Sequence, residues 1–357
     1  MRSHAMLSHL LLIAMISLST GCATHVNSPG SEVDTLMSRY DGAVPGASLL
    51  VVQEGKLVLQ RGYGLSDLKH GIEAGPTTNY RLASVTKQFT ASAILLLAED
   101  GKLALDDRLR HWLPSLPAAD DAITLRHLLT HTSGLVDYED VMADGTTEQL
   151  RDADVLRLLE SQDRTYFEPG SDYRYSNSGY ALLALIVERA SGKSFQDFLR
   201  ERIFLPLGMH DTVAYVDGGP EVPHRAYGYS EIKGRWVRTD QSPTSAVLGD
   251  GGIYSSIADL AKWDAALYDD RLLSDASRAA AFSAHVEVVG EPYQAGYGYG
   301  WRITGDSLWH SGETIGFRNV IVRYPQQHLT VVLLSNRNDP EPYATAKAIA
   351  RLYLPKE

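Results

Sequence analysis

Two periodicities run along this chain, and they occupy different stretches of it. Ala47 to Gln53 and Lys56 to Arg61 are runs rich in Val and Leu, parted by Glu54-Gly55 and ended by Gly62-Tyr63-Gly64. That is the pattern of two strands joined by an acid-glycine turn. Comparable strand patterns return only late, at Tyr297 to Ile303, Asn319 to Val322 and Leu329 to Leu334. Between them the apolar spacing is three and four. Ala122 to Leu129, Asp152 to Leu159, Tyr180 to Ala190 (closed by Ser191-Gly192), Phe195 to Phe204 and Ile257 to Tyr268 each read as helices. Glu32 to Tyr40 and Pro342 to Leu352 add one helix near each end. Short loops between the late strands predict antiparallel pairing. The expected fold class is α+β: an antiparallel sheet built from both chain ends, flanked by helices, with a mostly helical region inserted between.

One helix stands apart from the rest. Phe89, Ala91 and the run from Ala93 to Ala98 are apolar on nearly all sides, with Gly101 beyond them. Such a helix belongs in the interior, closed by its glycine. Thr77 to Ala83, which leads into it, is polar and irregular. Ser84 and Lys87, three apart, would share one face of this helix. Ser84 would lie in the first turn, where the helix dipole stabilises developing negative charge. A hydroxyl beside an amine is a candidate nucleophile with its base; a plain helix cap is the competing reading. Ser66 and Lys69, and Ser230 and Lys233, repeat the spacing. Neither pair is followed by a buried helix.

Composition changes this picture in two places. The formal net charge of -11, with 44% hydrophobic and 22% charged residues, describes a folded globular chain with no general attraction for nucleic acid. The single cysteine, Cys22, excludes an intramolecular disulfide, so stability must come from a packed core. Cys22 follows a charged, an apolar and a small-residue region (Arg2, Leu10 to Leu18, Ser19-Thr20-Gly21), the layout of a secretory signal. Leu18-Ser19-Thr20-Gly21-Cys22 also resembles a bacterial lipoprotein signal. The expected organisation is residues 1–21 as a signal peptide, 22–33 as a tether lipid-anchored at Cys22, and 34–357 as one domain. No aspartate follows Cys22, so the expected place is the periplasm, anchored to the outer membrane. His127 and His131 stand four apart, but the glutamate of a zinc-binding H-E-x-x-H is missing. Capping and packing are the reading for both.

Three motifs follow one another along the chain: Ser84-Val85-Thr86-Lys87, Tyr175-Ser176-Asn177 and His310-Ser311-Gly312. Around them stand Leu128-Leu129-Thr130-His131-Thr132-Ser133-Gly134, Glu168-Pro169-Gly170 and Gly251-Gly252-Ile253-Tyr254-Ser255-Ser256. Together they resemble the penicillin-recognising serine hydrolases, a family of class C β-lactamases, D-Ala-D-Ala carboxypeptidases, D-aminopeptidases and related esterases. The likeness runs from about Asp34 to Asn336. It implies a β-lactamase/transpeptidase-like fold and a hydrolase that forms an acyl-Ser84 intermediate on D-amino-acid peptides, esters or β-lactams. It further implies Tyr175 as general base beside Lys87, the two sharing a proton whose place is open. Asn177 would donate to the substrate amide and to Lys87. His310-Ser311-Gly312 would form an edge strand facing the substrate, and the backbone N–H groups of Ser84 and Glu313 would make the oxyanion hole. No cofactor or metal is required.

His310 departs from the pattern, because the β-lactamases of this family usually carry lysine there. Histidine is mostly neutral at pH 7, so carboxylate binding should be weak or pH-dependent. Carboxypeptidase or esterase chemistry is therefore favoured. The alternatives are a true class C-type β-lactamase and a non-catalytic cell-wall-binding protein of the same fold. Tyr175 as a structural aromatic and His310 as a packed residue beside Trp309 are the corresponding readings without chemistry. No Gly-x-Ser-x-Gly elbow offers another route to a nucleophilic serine.

Overall fold

The computed structural model describes residues 29–355 apart from 217, 220 and 292, so Cys22 and the leader expected around it lie outside the described residues. Eight strands form one antiparallel sheet: β1 (Ala47–Gln53), β2 (Lys56–Tyr63), β3 (Val286–Glu287), β4 (Gly296–Tyr297), β5 (Arg302–Thr304), β6 (Ser307–Thr314), β7 (Phe317–Tyr324) and β8 (Leu329–Ser335). Their order is β3-β4-β5-β6-β7-β8-β1-β2. β1 pairs with β8 from Ala47 opposite Ser335 to Gln53 opposite Leu329, which joins the two ends of the chain. The helices that matter for the site are α1 (Pro29–Met37), α2 (Lys87–Glu99), α3 (Leu125–Leu129), α4 (Asp152–Leu159), α5 (Asn177–Ser191), α6 (Phe195–Leu199), α7 (Ile257–Ala266) and α8 (Tyr343–Arg351). None of the described helices is long and apolar enough to cross a membrane.

The sheet has two covered faces because its central strands are apolar at odd and even positions alike. Leu49, Val51, Val320, Val322, Val331 and Leu333 pack under α1 and α8, against Val33, Met37, Tyr343, Ala346 and Ile349. Leu50, Val52, Ile321, Val332 and Leu334 face the other way, into the large core shared with the helical region. α2 runs through that core, buried from Lys87 to Leu97, as its all-round apolar character requires.

Three sequence expectations are corrected. The helix expected from Ala122 starts at Leu125, because Thr124 is extended and caps it. The Thr124 hydroxyl accepts the His127 N–H, and His127 Nδ1 accepts the Thr124 N–H. The strand expected over Tyr297 to Ile303 is two strands, since the chain turns between them with Gly300 at φ +76°. A Cβ on Gly300 would come within 2.7 Å of the Lys87 carbonyl oxygen, so the turn packs directly on the start of α2. Phe195 to Phe204 is α6 followed by a π-helical turn, Arg200–Phe204.

Candidate active site

Ser84 lies in a 3-10 turn, Ala83–Thr86, that leads straight into α2. Three residues per turn align positions i and i+3, so the side chain of Lys87 stands over that of Ser84. Lys87 Nζ and Ser84 Oγ are 3.0 Å apart. Ala83, immediately before the serine, holds φ +50°, a conformation that L-residues seldom adopt. Ser84 is partly exposed, whereas Lys87 is fully buried.

The burial of Lys87 is tolerated because its amine is surrounded by oxygen. Besides Ser84 it meets Asn177 Oδ1 at 2.8 Å and the carbonyl oxygen of Asp250 at 3.0 Å. Asn177 is the first residue of α5, and Asp137 holds that helix end: its Oδ2 accepts the Asn177 N–H at 2.6 Å. The Asn177 amide N–H donates to Glu139 Oε1 at 3.1 Å. A carboxylate only accepts, which fixes the amide orientation and turns Oδ1 toward Lys87. The expected donation from Asn177 to Lys87 is therefore reversed: Asn177 accepts. The Asp250 carboxyl accepts the Tyr138 hydroxyl at 3.0 Å, and burial pushes it up to about 8 against the opposing pull of Lys87.

Tyr175 borders the same amine through its ring, 4.9 Å from Lys87 Nζ. Its hydroxyl is buried without a hydrogen-bond partner among the described residues, so it is not bonded to Ser84 or Lys87. The ring sits in an aromatic enclosure with His131 at 4.3 Å, His310 at 6.1 Å and Tyr297 at 6.4 Å between centroids.

His310 is fully buried in that enclosure. Its Nδ1 lies 2.6 Å from the Ser311 carbonyl oxygen and must donate to it. Nε2 is then the acceptor for the Tyr297 hydroxyl at 3.0 Å. Burial holds the ring well below its ordinary pKa, with Arg302 and Lys87 adding to the effect. The expectation that His310 meets a substrate carboxylate is corrected here. Both ring nitrogens are committed internally and no surface is exposed.

β6 is an interior strand of the sheet, but it pairs with β5 only as far as Trp309. From His310 onward its outer side is free of β5 and lies along the Ser84 turn, so the expected edge is local. Gly312 makes this approach close: a Cβ there would fall 1.9 Å from the Leu82 carbonyl oxygen and 3.3 Å from the Ala83 Cβ. Its small size therefore serves the contact between strand and nucleophile turn. Ser311 is partly buried on the same stretch, and the Glu313 side chain points outward to Arg318 at 2.6 Å. Ala83, Ser84, Glu139, Asn177, Glu313 and Thr314 line a narrow cleft. Two roomier clefts, one by Met209 and Val213 and one by Asp67 and Arg225, contain none of the predicted residues.

The fold has known counterparts. The Beta-lactamase family pattern matches residues 32–354, nearly every described residue. This chain belongs to the beta-lactamase family. It is 35% identical over 321 residues to penicillin-binding protein 4* of Bacillus subtilis (strain 168), a match covering 84% of this chain and 70% of that protein. The octameric penicillin-binding protein homologue from Pyrococcus abyssi has a TM-score of 0.81 at 28% identity, covering 91% of this chain and 76% of that one. The D-amino acid amidase from Ochrobactrum anthropi SV3, solved with L-phenylalanine amide, has a TM-score of 0.77 at 26% identity, covering 91% and 96%. The β-lactamase/transpeptidase-like fold expected from the three motifs is the fold observed, within a family of serine hydrolases of penicillin-binding and amidase type.

Several members of the site carry no mark in the sequence. Asp137, Tyr138, Glu139 and Asp250 match no spacing rule, although each stands beside a familial stretch: the first three follow Leu128 to Gly134, and Asp250 precedes Gly251-Gly252. His127 and His131 do not converge. His127 caps α3, and His131 turns into the aromatic enclosure.

Proposed function

We propose that this beta-lactamase-family chain is a hydrolase that passes an acyl group from an ester or amide to Ser84 and then to water. One observation carries the reading: Lys87 Nζ has three oxygen neighbours, and two of them, Asn177 Oδ1 and the Asp250 carbonyl, can only accept. An unprotonated amine satisfies those two with its N–H groups and presents its lone pair to the Ser84 hydroxyl, 3.0 Å away. As Ser84 Oγ attacks the carbonyl carbon, Lys87 takes the proton and becomes an ammonium with three acceptors already in place. Tyr175, whose hydroxyl is unbonded here, relays the proton to the departing alcohol or amine once that hydroxyl reaches Lys87. The backbone N–H groups of Ser84 and Glu313 stabilise the tetrahedral oxyanion, brought together by the close approach at Gly312. A water molecule repeats the sequence and frees the acid.

The charges at the cleft support esters and amides over β-lactams and over peptides ending in a free carboxylate. Arg318 is ion-paired with Glu313, Arg81 donates to Gln241 and the Ser245 carbonyl, and Arg302 donates to Gln294. Lys87 is buried and His310 is neutral. Of these only Arg81 lines the cleft, and its side chain is buried, while Glu139 would repel a carboxylate. The N-terminal pattern supports an exported protein anchored by lipid on Cys22.

The test is a fluorophosphonate probe followed by intact-mass spectrometry. One adduct is expected on the wild-type chain and none on Ser84→Ala; a clean spectrum from the wild type under every condition removes the hydrolase reading. A turnover panel of short acyl esters, a chromogenic cephalosporin and a D-Ala-D-Ala peptide then ranks substrates. Esters should lead, and a lead by either carboxylate-bearing substrate would overturn that preference.

A further inference from the structure

His131 is tied to the peptide segment around Tyr175 at three points. Its carbonyl oxygen accepts the Arg174 N–H at 3.0 Å, and its Nδ1 accepts the Ser176 N–H at 3.1 Å. These are the backbone groups on either side of Tyr175. Between them the imidazole lies against the Tyr175 ring, 4.3 Å between centroids with 36° between planes. Tyr297 and Tyr180 close the other sides of the imidazole at 4.5 Å and 5.1 Å. His131 is buried and sits at φ +60°, just past the end of α3. A side chain held in a sparsely populated backbone conformation, with both its acceptor and its flat face in use, is over-determined by its surroundings.

We propose that His131 is a positioning residue for Tyr175, setting the height of its ring over Lys87 through the Nδ1 bond to Ser176 and the ring contact. The inference rests on the acyl-Ser84 reading above, in which Tyr175 relays the proton. Tyr175 needs such a device because its hydroxyl is unanchored among the described residues, so nothing at the reacting end fixes the ring. The imidazole acts in its neutral form. With Nδ1 accepting, the proton is on Nε2, and burial together with Lys87 and His310 nearby keeps the second proton off. Histidine combines an acceptor at the β-carbon's reach with an aromatic face; leucine supplies neither. Asparagine supplies the acceptor and tolerates a positive φ.

The experiment compares fluorophosphonate labelling rates of wild type, His131→Asn, His131→Leu and Tyr175→Phe, with thermal unfolding to establish that each is folded. Ester kcat and KM are measured alongside. His131→Leu should label at least tenfold more slowly, with the loss in kcat and KM within about threefold of wild type. His131→Asn should recover most of that loss. In a Tyr175→Phe background, His131→Leu should cost less than threefold, because its effect passes through the tyrosine. Three results each overturn the assignment: His131→Leu labelling at the wild-type rate, Asn and Leu losing equally, or an undiminished loss in the Tyr175→Phe background. An unlabelled wild type instead removes the hydrolase reading and this inference with it.

Discussion

Ser84 and Ser230 are each followed three residues later by a lysine, and the two pairs could hardly behave more differently. Ser230 is the second residue of a hairpin, Tyr229–Ile232 paired with Arg235–Arg238, and Lys233 occupies its turn at φ +51°. Ser230 is on the strand and Lys233 in the turn beyond it, so no shared helical face brings their side chains together. Ser230 Oγ lies 2.8 Å from the Thr239 hydroxyl, and Lys233 is exposed. In the Ala83–Thr86 turn the same spacing eclipses the two side chains, and the apolar helix behind carries Lys87 into the core. Ser66 and Lys69 side with the hairpin: Ser66 is buried on the carbonyls of Ile72 and Glu73, while Lys69 is exposed. Backbone conformation, and not spacing, separates the pair whose side chains meet from the pairs whose side chains do not.

The comparison can be broken most forcefully at the amine. Lys87→Met should lower ester turnover by roughly 10²–10⁴-fold, measured as kcat at saturating ester, because the hydroxyl loses its proton acceptor. A drop below tenfold would place the base elsewhere. Next in size is Gly312→Ala, whose Cβ would fall 1.9 Å from the Leu82 carbonyl oxygen. The strand must retreat, at about 1–3 kcal/mol in denaturant stability and with a larger loss in labelling rate. Unchanged stability and labelling would show that β6 and the Ser84 turn do not touch as described.

Asp250→Asn sharpens the electrostatics around Lys87. The Asp250 carboxyl has a folded value of about 8, raised by burial from 3.8. The folded state therefore binds the extra proton, and this contribution to stability is lost as pH rises toward 8. Asparagine lacks the titration, so the variant should gain on wild type by about 1 kcal/mol per pH unit between pH 6 and 8. Urea midpoints at pH 6, 7 and 8 read this out, and a constant difference across them contradicts the buried acid. The smallest effect belongs to the hairpin. Ser230→Ala should change stability by less than about 0.5 kcal/mol and leave probe labelling unaltered; slower labelling would mean that the second serine-lysine pair is not idle.

Much of the frame was legible before the structure. β1 and the Asp152–Leu159 helix fall where their patterns placed them, because both are stretches whose burial one local period describes. The failures lie where a distant contact overrides the local period. Tyr297 to Ile303 reads as one strand, yet Gly300 must turn to pack on the Lys87 carbonyl. His310 reads as a residue facing substrate, yet Tyr297 and its own neighbour Ser311 consume its two nitrogens.

By itself the chain's order of residues determined that Ser84 stands just ahead of a buried helix, that Lys87 follows at the reach of a helical turn, and that the sheet takes strands from both ends. These are consequences of backbone periodicity within a few residues. Only the tertiary structure decided what Lys87 meets, because Asn177 and Asp250 lie 90 and 163 positions away. It decided equally that Gly312 must be small and that the Arg81 side chain beside the cleft is buried. Such facts depend on which surfaces the core brings into contact, and no local pattern encodes them.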